Sequence, residues 1–204
     1  NSLMIAFLTT VCCLLISILG SYAMTRLKYP GRRFFKTSII FSYLIPTAVL
    51  FVPMYVFVSK LGFYDNKWAL LIIYPTTVVP YCCYMLMSYF KAIPYALEEA
   101  ALIDGCTRMK SLRYIITPIA LPGIAVVATF AFTMSWNEYL YAMIMTTSPA
   151  QQTAVVAISS FKYADSAIWG RIMAASVLTS LPVTIIYIVA QAQLISGKSD
   201  GSVK

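Results

Sequence analysis

The sequence predicts an all-α membrane protein: a polytopic transmembrane helix bundle of five spans, with one short helix between the third and fourth. Three observations carry this. Hydrophobic residues fill 60% of the 204 positions and charged residues only 11%, whereas a water-soluble domain carries about 25% charge; the mean hydropathy is +0.79. The apolar residues gather into five runs, each near the ~20 residues that cross a ~30 Å hydrocarbon core at ~1.5 Å per residue. The charges lie in short clusters between those runs. A net charge of +8 could suggest nucleic acid, but basic clusters flanking apolar runs are the signature of membrane topology, so no nucleic-acid partner is expected.

The five spans are Leu3–Met24, Phe34–Val58, Trp68–Phe90, Ile119–Met145 and Ile172–Ile195. Together they make residues 1–195 one transmembrane unit, with a cytoplasmic loop over 91–113 and a cytoplasmic tail over 196–204. With the first helix running from outside to inside, the inner side holds Arg26, Lys28, Arg32, Arg33, Lys36, Lys91, Arg108, Lys110, Arg113, Lys198 and Lys204. The outer side holds Lys60, Lys67, Lys162 and Arg171. An excess of basic residues marks the cytoplasmic side, so Asn1 is expected outside and the C-terminus inside. A start outside without a visible signal peptide is awkward for insertion; a further helix upstream of Asn1 would resolve it, giving six spans in the full protein. Pro46, Pro53, Pro75, Pro80, Pro118, Pro122 and Pro182 lie in or beside the spans. They bend helices by removing a backbone donor, which suits either a pathway or ordinary packing.

Composition also narrows the chemistry. There is no His, which removes the commonest metal ligand and general base. Cys12, Cys13, Cys82, Cys83 and Cys106 match no zinc or redox spacing and read as small apolar helix residues. No metal site is expected.

The segment AIPYALEEAALIDG from Ala92 to Gly105 interrupts the apolar pattern. Pro94 suits a first helical turn. Glu98 and Glu99 favour the positive end of the helix dipole, and Gly105 can adopt a left-handed stop. Leu97, Ala101 and Asp104 share one stripe of this helix; Ala100 and Ile103 form a small-residue apolar stripe beside it. The helix could lie on the membrane surface or fit a socket on a soluble partner. Its small alanines favour docking, because surface-bound helices use large apolar anchors and basic residues.

These residues resemble the permease subunits of ABC importers. That family's cytoplasmic signature is Glu-Ala-Ala, three residues, Gly, nine residues, then Ile-x-Leu-Pro. Here Glu99-Ala100-Ala101 is followed at that spacing by Gly105, Ile115, Ile116, Thr117 and Pro118, with Thr117 departing from the usual Leu. Asn1-Ser2-Leu3, Tyr29-Pro30-Gly31-Arg32 and Trp136-Asn137-Glu138-Tyr139 are similar to carbohydrate permeases of the maltose-permease type, over essentially the whole chain.

The resemblance implies a non-catalytic transport subunit in a bacterial-type cytoplasmic membrane that moves a carbohydrate by alternating access. Its coupling helix would meet an ATP-hydrolysing partner through Glu98, Glu99, Ala100, Ala101, Asp104 and Gly105. Further implied partners are a second, homologous permease forming a heterodimer, two ATP-binding subunits and an extracytoplasmic sugar-binding protein. ATP and Mg would belong to the partner: Gly197-Lys198-Ser199 lacks the upstream Gly of a phosphate-cradling loop, and no cofactor is expected in this chain.

For the solute, Glu138 is the acidic residue inside an apolar run, a functional candidate by default. With Trp136, Asn137 and Tyr139 it forms either a sugar-contacting set or an interfacial belt at headgroup depth. Tyr74, Tyr81 and Tyr84 lie near helical spacing and either line a pathway or pack. Ser159, Lys162, Tyr163 and Asp165 are candidates for touching a binding protein, or an ordinary polar loop; Lys198 to Lys204 reads as a mobile tail. Competing readings are an amino-acid or peptide permease, a membrane scaffold, and an intramembrane enzyme using Glu98, Glu99 and Asp104.

Overall fold

The computed structural model describes the backbone of residues 1–163, 166–167 and 169–199, with side chains described for 1–161 and 169–191. The helices are α1 (Ser2–Arg26), α2 (Arg32–Leu44), α3 (Thr47–Lys60), α4 (Leu70–Ala92), α5 (Tyr95–Ile103), α6 (Arg108–Ser111), α7 (Thr117–Ile119), α8 (Leu121–Asn137), α9 (Leu140–Met145), α10 (Ala154–Ser159) and α11 (Trp169–Ser199). A 3-10 turn (Lys67–Ala69) leads into α4, and a π-helical turn (Leu112–Ile116) joins α6 to α7. Lys162–Tyr163 pairs antiparallel with Ser166–Ala167, a two-residue ladder between α10 and α11.

Three of the described helices are long and apolar enough to cross a bilayer, and two bent pairs bring the number to five if each pair is one span. The second expected span, Phe34–Val58, is not one helix. It splits into α2 and α3, bent by 99°, because Pro46 offers no N–H and forces Ile45 into an extended conformation (ψ 121°). The fourth, Ile119–Met145, is broken twice. A bend of 82° separates Arg108–Ile119 from α8, and α8 stops at Asn137 because Glu138 turns extended (ψ 123°) before α9 restarts. The fifth span runs as α11 to Ser199, past the expected tail boundary at 196; residues 200–204 lie outside the described part.

The core lies where α1, α4 and α8 pack together. Cys13, Ser17, Gly20 and Ser21 of α1 face Cys82 and Cys83 of α4. Ser21 donates to the Cys83 carbonyl at 3.0 Å, and a Cβ on Gly20 would lie 3.5 Å from the Cys83 sulfur. Small side chains let two backbones approach where lipid supplies no hydrophobic driving force between helices. The buried cysteines serve this contact. A second buried cluster, built around Ile5, Leu70, Ile73, Tyr74, Tyr141 and Met145, closes the end of the bundle opposite α5. α11 touches the rest along one edge, with only 6% of its apolar window buried, so most of its surface is free for lipid or another subunit.

Candidate functional site

At one end of the bundle, Ile93 and Pro94 are both extended, and α5 starts at Tyr95, one residue after the proline. Its last turn closes as expected. Gly105 sits at φ +83°, its N–H bonds the Leu102 carbonyl at 3.2 Å, and the Cys106 N–H reaches back to Ala101 at 2.9 Å. These two bonds satisfy carbonyls that every helix end leaves open.

The faces of α5 differ from the expected stripes. Ala101 turns inward together with Glu98, while Ala96, Leu97, Glu99, Ala100, Ile103, Asp104 and Gly105 are exposed; Ile103 is 85% exposed. Glu98, expected with Glu99 to meet an ATP-hydrolysing partner, is only 4% exposed. Its carboxylate accepts from the Tyr22 hydroxyl at 2.5 Å and lies 3.7 Å from both Arg26 Nε and Arg108 Nη1. A carboxylate tolerates such burial only with charge and donors around it. Arg26, Tyr22 and Arg108 supply them. The three acids of the enzyme reading therefore do not converge: Glu98 points into the protein, Glu99 and Asp104 out of it.

The sequence marks Arg26 only as a topology signal and Arg32 as that and part of the Tyr29-Pro30-Gly31-Arg32 set. In the structure Arg26 Nη2 donates to the Phe90 and Ile93 carbonyls at 2.5 and 2.6 Å, and its guanidinium lies 4.2 Å over the Tyr95 ring. Arg32 caps the end of α1, donating to the carbonyls of Met24, Thr25 and Leu27 at 2.7 to 3.1 Å. The one available clue was position, since Arg26 follows an uncharged span without a break.

Toward the other end, the break after α8 opens a cavity of about 430 Å³ lined by Tyr74, Thr77, Phe130, Thr133, Asn137 and Glu138, with Tyr139 at its edge. Three of the four expected pathway residues meet there. The fourth, Trp136, does not: it stacks on Phe132 at 5.5 Å and donates to the Thr179 carbonyl of α11 at 3.2 Å. Glu138 accepts from the N–H groups of Tyr141 and Ala142 at 3.0 and 3.1 Å, so it caps α9 as well as lining the cavity. The Tyr74 hydroxyl is buried in the wall, facing the Glu138 carboxylate. Tyr81 stacks on Phe130 at 3.9 Å, whereas Tyr84 is half exposed and takes no part. A second cavity of about 340 Å³, between α8 and α11, shares Phe130 and Thr133 and adds Thr129, Tyr187 and Gln191. One face of α8, carrying Thr129, Thr133 and Asn137, thus lines both.

Beyond α9, Asp65 accepts from the N–H groups of Thr147 and Ser148, each at 2.9 Å, and from the Ser148 hydroxyl. These bonds hold its carboxyl below the usual aspartate range. Asn1 donates to the carbonyls of Ala150 and Gln152 at 2.8 and 3.0 Å. Ser159 bonds the Val156 carbonyl within its own turn; the side chains of Lys162, Tyr163 and Asp165 lie outside the described part.

Sequence comparison decides the family. Residues 14–198 match the model of the binding-protein-dependent transport system inner membrane component. The chain belongs to this family. All 204 residues align at 37% identity with the inner membrane ABC transporter permease protein YcjP of Escherichia coli (strain K12), covering 73% of it. The trehalose/maltose transport system permease protein MalG of Thermococcus litoralis is 34% identical, over the whole chain and 74% of that protein. Among solved structures, a bacterial ABC transporter that imports the acidic polysaccharide alginate superposes with a TM-score of 0.80 at 23% identity, over 94% of this chain and 72% of that one. The MetNI methionine transporter gives 0.73 at 18%, over 96% and 90%; at these identities the likeness establishes the fold. This permease is a multi-pass membrane component of an ABC transport system.

Proposed function

We propose that the permease carries a carbohydrate inward, with the cavity under the α8–α9 break as a solute subsite. The observation that carries this reading is the chemistry of that cavity. It offers Thr hydroxyls, the Asn137 amide and the faces of Phe130 and Tyr139, with no Lys or Arg in its wall among the described residues. Its one carboxylate already accepts from two backbone N–H groups. An amino acid would need a partner for each of its charges; a neutral polyol needs donors, acceptors and an aromatic face. The names of relatives support the class, among them trehalose/maltose, sulfoquinovosyl glycerol and diacetylchitobiose permeases.

In this reading the α5 end faces the cytoplasm, because the basic residues cluster there. The exposed stripe of Ala96, Ala100 and Ile103, flanked by Glu99, Asp104 and Gly105, docks on an ATP-hydrolysing subunit, and Ala101 supports it from behind. A homologous second permease covers the exposed cavity side, a second ATPase completes the motor and binds ATP and Mg with the first, and an extracytoplasmic binding protein delivers the sugar.

The test is uptake by proteoliposomes holding the full-length permease with its neighbouring permease, ATPase and binding protein. Thr133→Val and Asn137→Ala should raise the sugar concentration for half-maximal transport while leaving the α9 cap untouched. Unchanged affinity in both would remove the cavity from the pathway. A photo-reactive side chain at position 100 should cross-link to the ATPase; failure to do so would remove the docking surface.

A further inference from the structure

The short link between α4 and α5 ought to be a pivot. Ile93 and Pro94 are both extended, Pro94 donates no hydrogen bond, and α5 is nine residues long, too short to hold itself in place by propensity alone. A docking helix on such a link would swing when pushed and transmit little.

Arg26 fills the corner of that pivot. One of its nitrogens bonds both carbonyls that flank the link, Phe90 and Ile93. Its guanidinium plane covers Tyr95, the first residue of α5, and the Tyr95 hydroxyl returns to the Thr25 carbonyl of α1 at 2.7 Å. Glu98, one turn further along α5, compensates its charge from 3.7 Å and takes the Tyr22 hydroxyl from the same helix α1. The Arg26 and Glu98 side chains are 0% and 5% exposed, so this pair escapes the screening that makes surface ion pairs weak. Arg108, 58% exposed in its side chain, contributes at the rim. Arg26 Nε and Nη1 have no hydrogen-bond partner of their own, which leaves Glu98 as their charge partner.

We infer that Arg26 and Glu98 are positioning residues that weld α5 to α1 and α4, so that force on the exposed face of α5 moves the buried core rather than the link. The inference rests on the reading of α5 as the docking helix. It gives Glu98 a role facing inward, with Glu99 and Asp104 left to face the partner. Load then leaves α5 by two routes: forward through Gly105 and the π-turn into α8, and backward through Arg26 into α1 and α4.

The experiment uses the complete reconstituted transporter with the photo-reactive side chain at position 100. It records three quantities: cross-link to the ATPase, ATP hydrolysis, and solute imported per ATP. Arg26→Lys keeps a charge but lacks the planar fork that reaches carbonyls and carboxylate together. Glu98→Gln strands Arg26 without its counter-charge. Both should keep the cross-link and ATP hydrolysis while solute per ATP falls, in Glu98→Gln roughly tenfold or more, the scale set by an uncompensated buried charge. Arg26→Gln alone completes a cycle with the double variant Arg26→Gln with Glu98→Gln; the double leaves no stray charge, so it should perform better than the more damaged of its two component singles. Singles that fail to assemble while the double assembles would also support the pair. Wild-type solute per ATP in both singles, with the cross-link present, would overturn the inference alone. So would a double variant whose defect is the product of the Arg26→Gln and Glu98→Gln defects, or loss of assembly in every variant. No cross-link in the unsubstituted protein would instead sink the docking reading, and this inference with it.

Discussion

Gly105→Ala isolates what the last turn of α5 contributes. Gly105 is held at φ +83°, and a Cβ built there meets nothing within 4 Å. Alanine therefore creates no clash within the chain, and its whole cost is the left-handed backbone, about 1–2 kcal/mol. That cost falls on a motif held by two bonds, Gly105 to Leu102 and Cys106 to Ala101. The closed turn should lose roughly five- to thirtyfold in population against the frayed one. Asparagine tolerates the left-handed region far better than alanine, so Gly105→Asn should recover most of the loss although its side chain is larger. Hydrogen exchange at the Gly105 and Cys106 amides in nanodiscs reads the turn directly, and uptake reads the consequence. If asparagine proved as damaging as alanine or worse, the glycine would be there to let a partner approach, and the backbone explanation would be wrong.

Three further outcomes follow from the packing and the caps. A Cβ on Gly123 would lie 2.4 Å from Tyr89 Cγ, so Gly123→Ala should destabilise the purified protein by about 1–3 kcal/mol through overpacking; adding Tyr89→Ala should restore part of the Tm, and an unchanged Tm in the single variant would contradict the contact. Trp136→Phe loses the bond to the Thr179 carbonyl and should cost about 1 kcal/mol of stability with sugar affinity intact, the reverse of Asn137→Ala; a change in affinity would return Trp136 to the pathway. Asp65 has a folded pKa held below its ordinary 3.8 by the Ser148 and Thr147 bonds. Its contribution is thus complete above that ordinary value and fades as pH falls through the lower folded value. Exchange at the Thr147 and Ser148 amides, corrected for intrinsic rate, should rise only in that acid window, whereas Asp65→Asn should show raised exchange at neutral pH.

Hydropathy made the five apolar runs legible, because membrane burial is a property of composition. It could not show their direction. Pro53, Pro75, Pro80 and Pro182 sit inside continuous helices, yet Pro46 ends α2 and turns the chain by 99°; proline identity alone does not separate these cases. The motif from Glu99 to Gly105 gave the helix and its stop, but of its two alanines only Ala100 is exposed. It could not give the inward face of Glu98, because that face is set by Tyr22 and Arg26, more than seventy residues earlier. Trp136 and Asn137 are neighbours in sequence, but successive residues on a helix point about 100° apart, so one reached α11 and the other the cavity.

The same limit bears on the rule that an ionisable residue within a membrane span is functional. Glu138 does line the cavity, yet both of its oxygens hold the start of α9. Arg26 and Arg32 take carbonyls at the ends of α4 and α1, and Asp65 takes the N–H groups beyond α9. Glu138, Arg26 and Arg32 stand at a helix end or break, while Asp65 takes the N–H groups of an exposed loop. Backbone groups freed at a break find little or no water near a bilayer core and must be satisfied by the protein itself. In a chain with so few charges, breaks and charges are therefore placed together, and the breaks are also where a pathway opens. A buried charge here marks first a discontinuity in the backbone, and solute contact has to be shown separately, by groups such as the Asn137 amide that line the cavity without capping a helix.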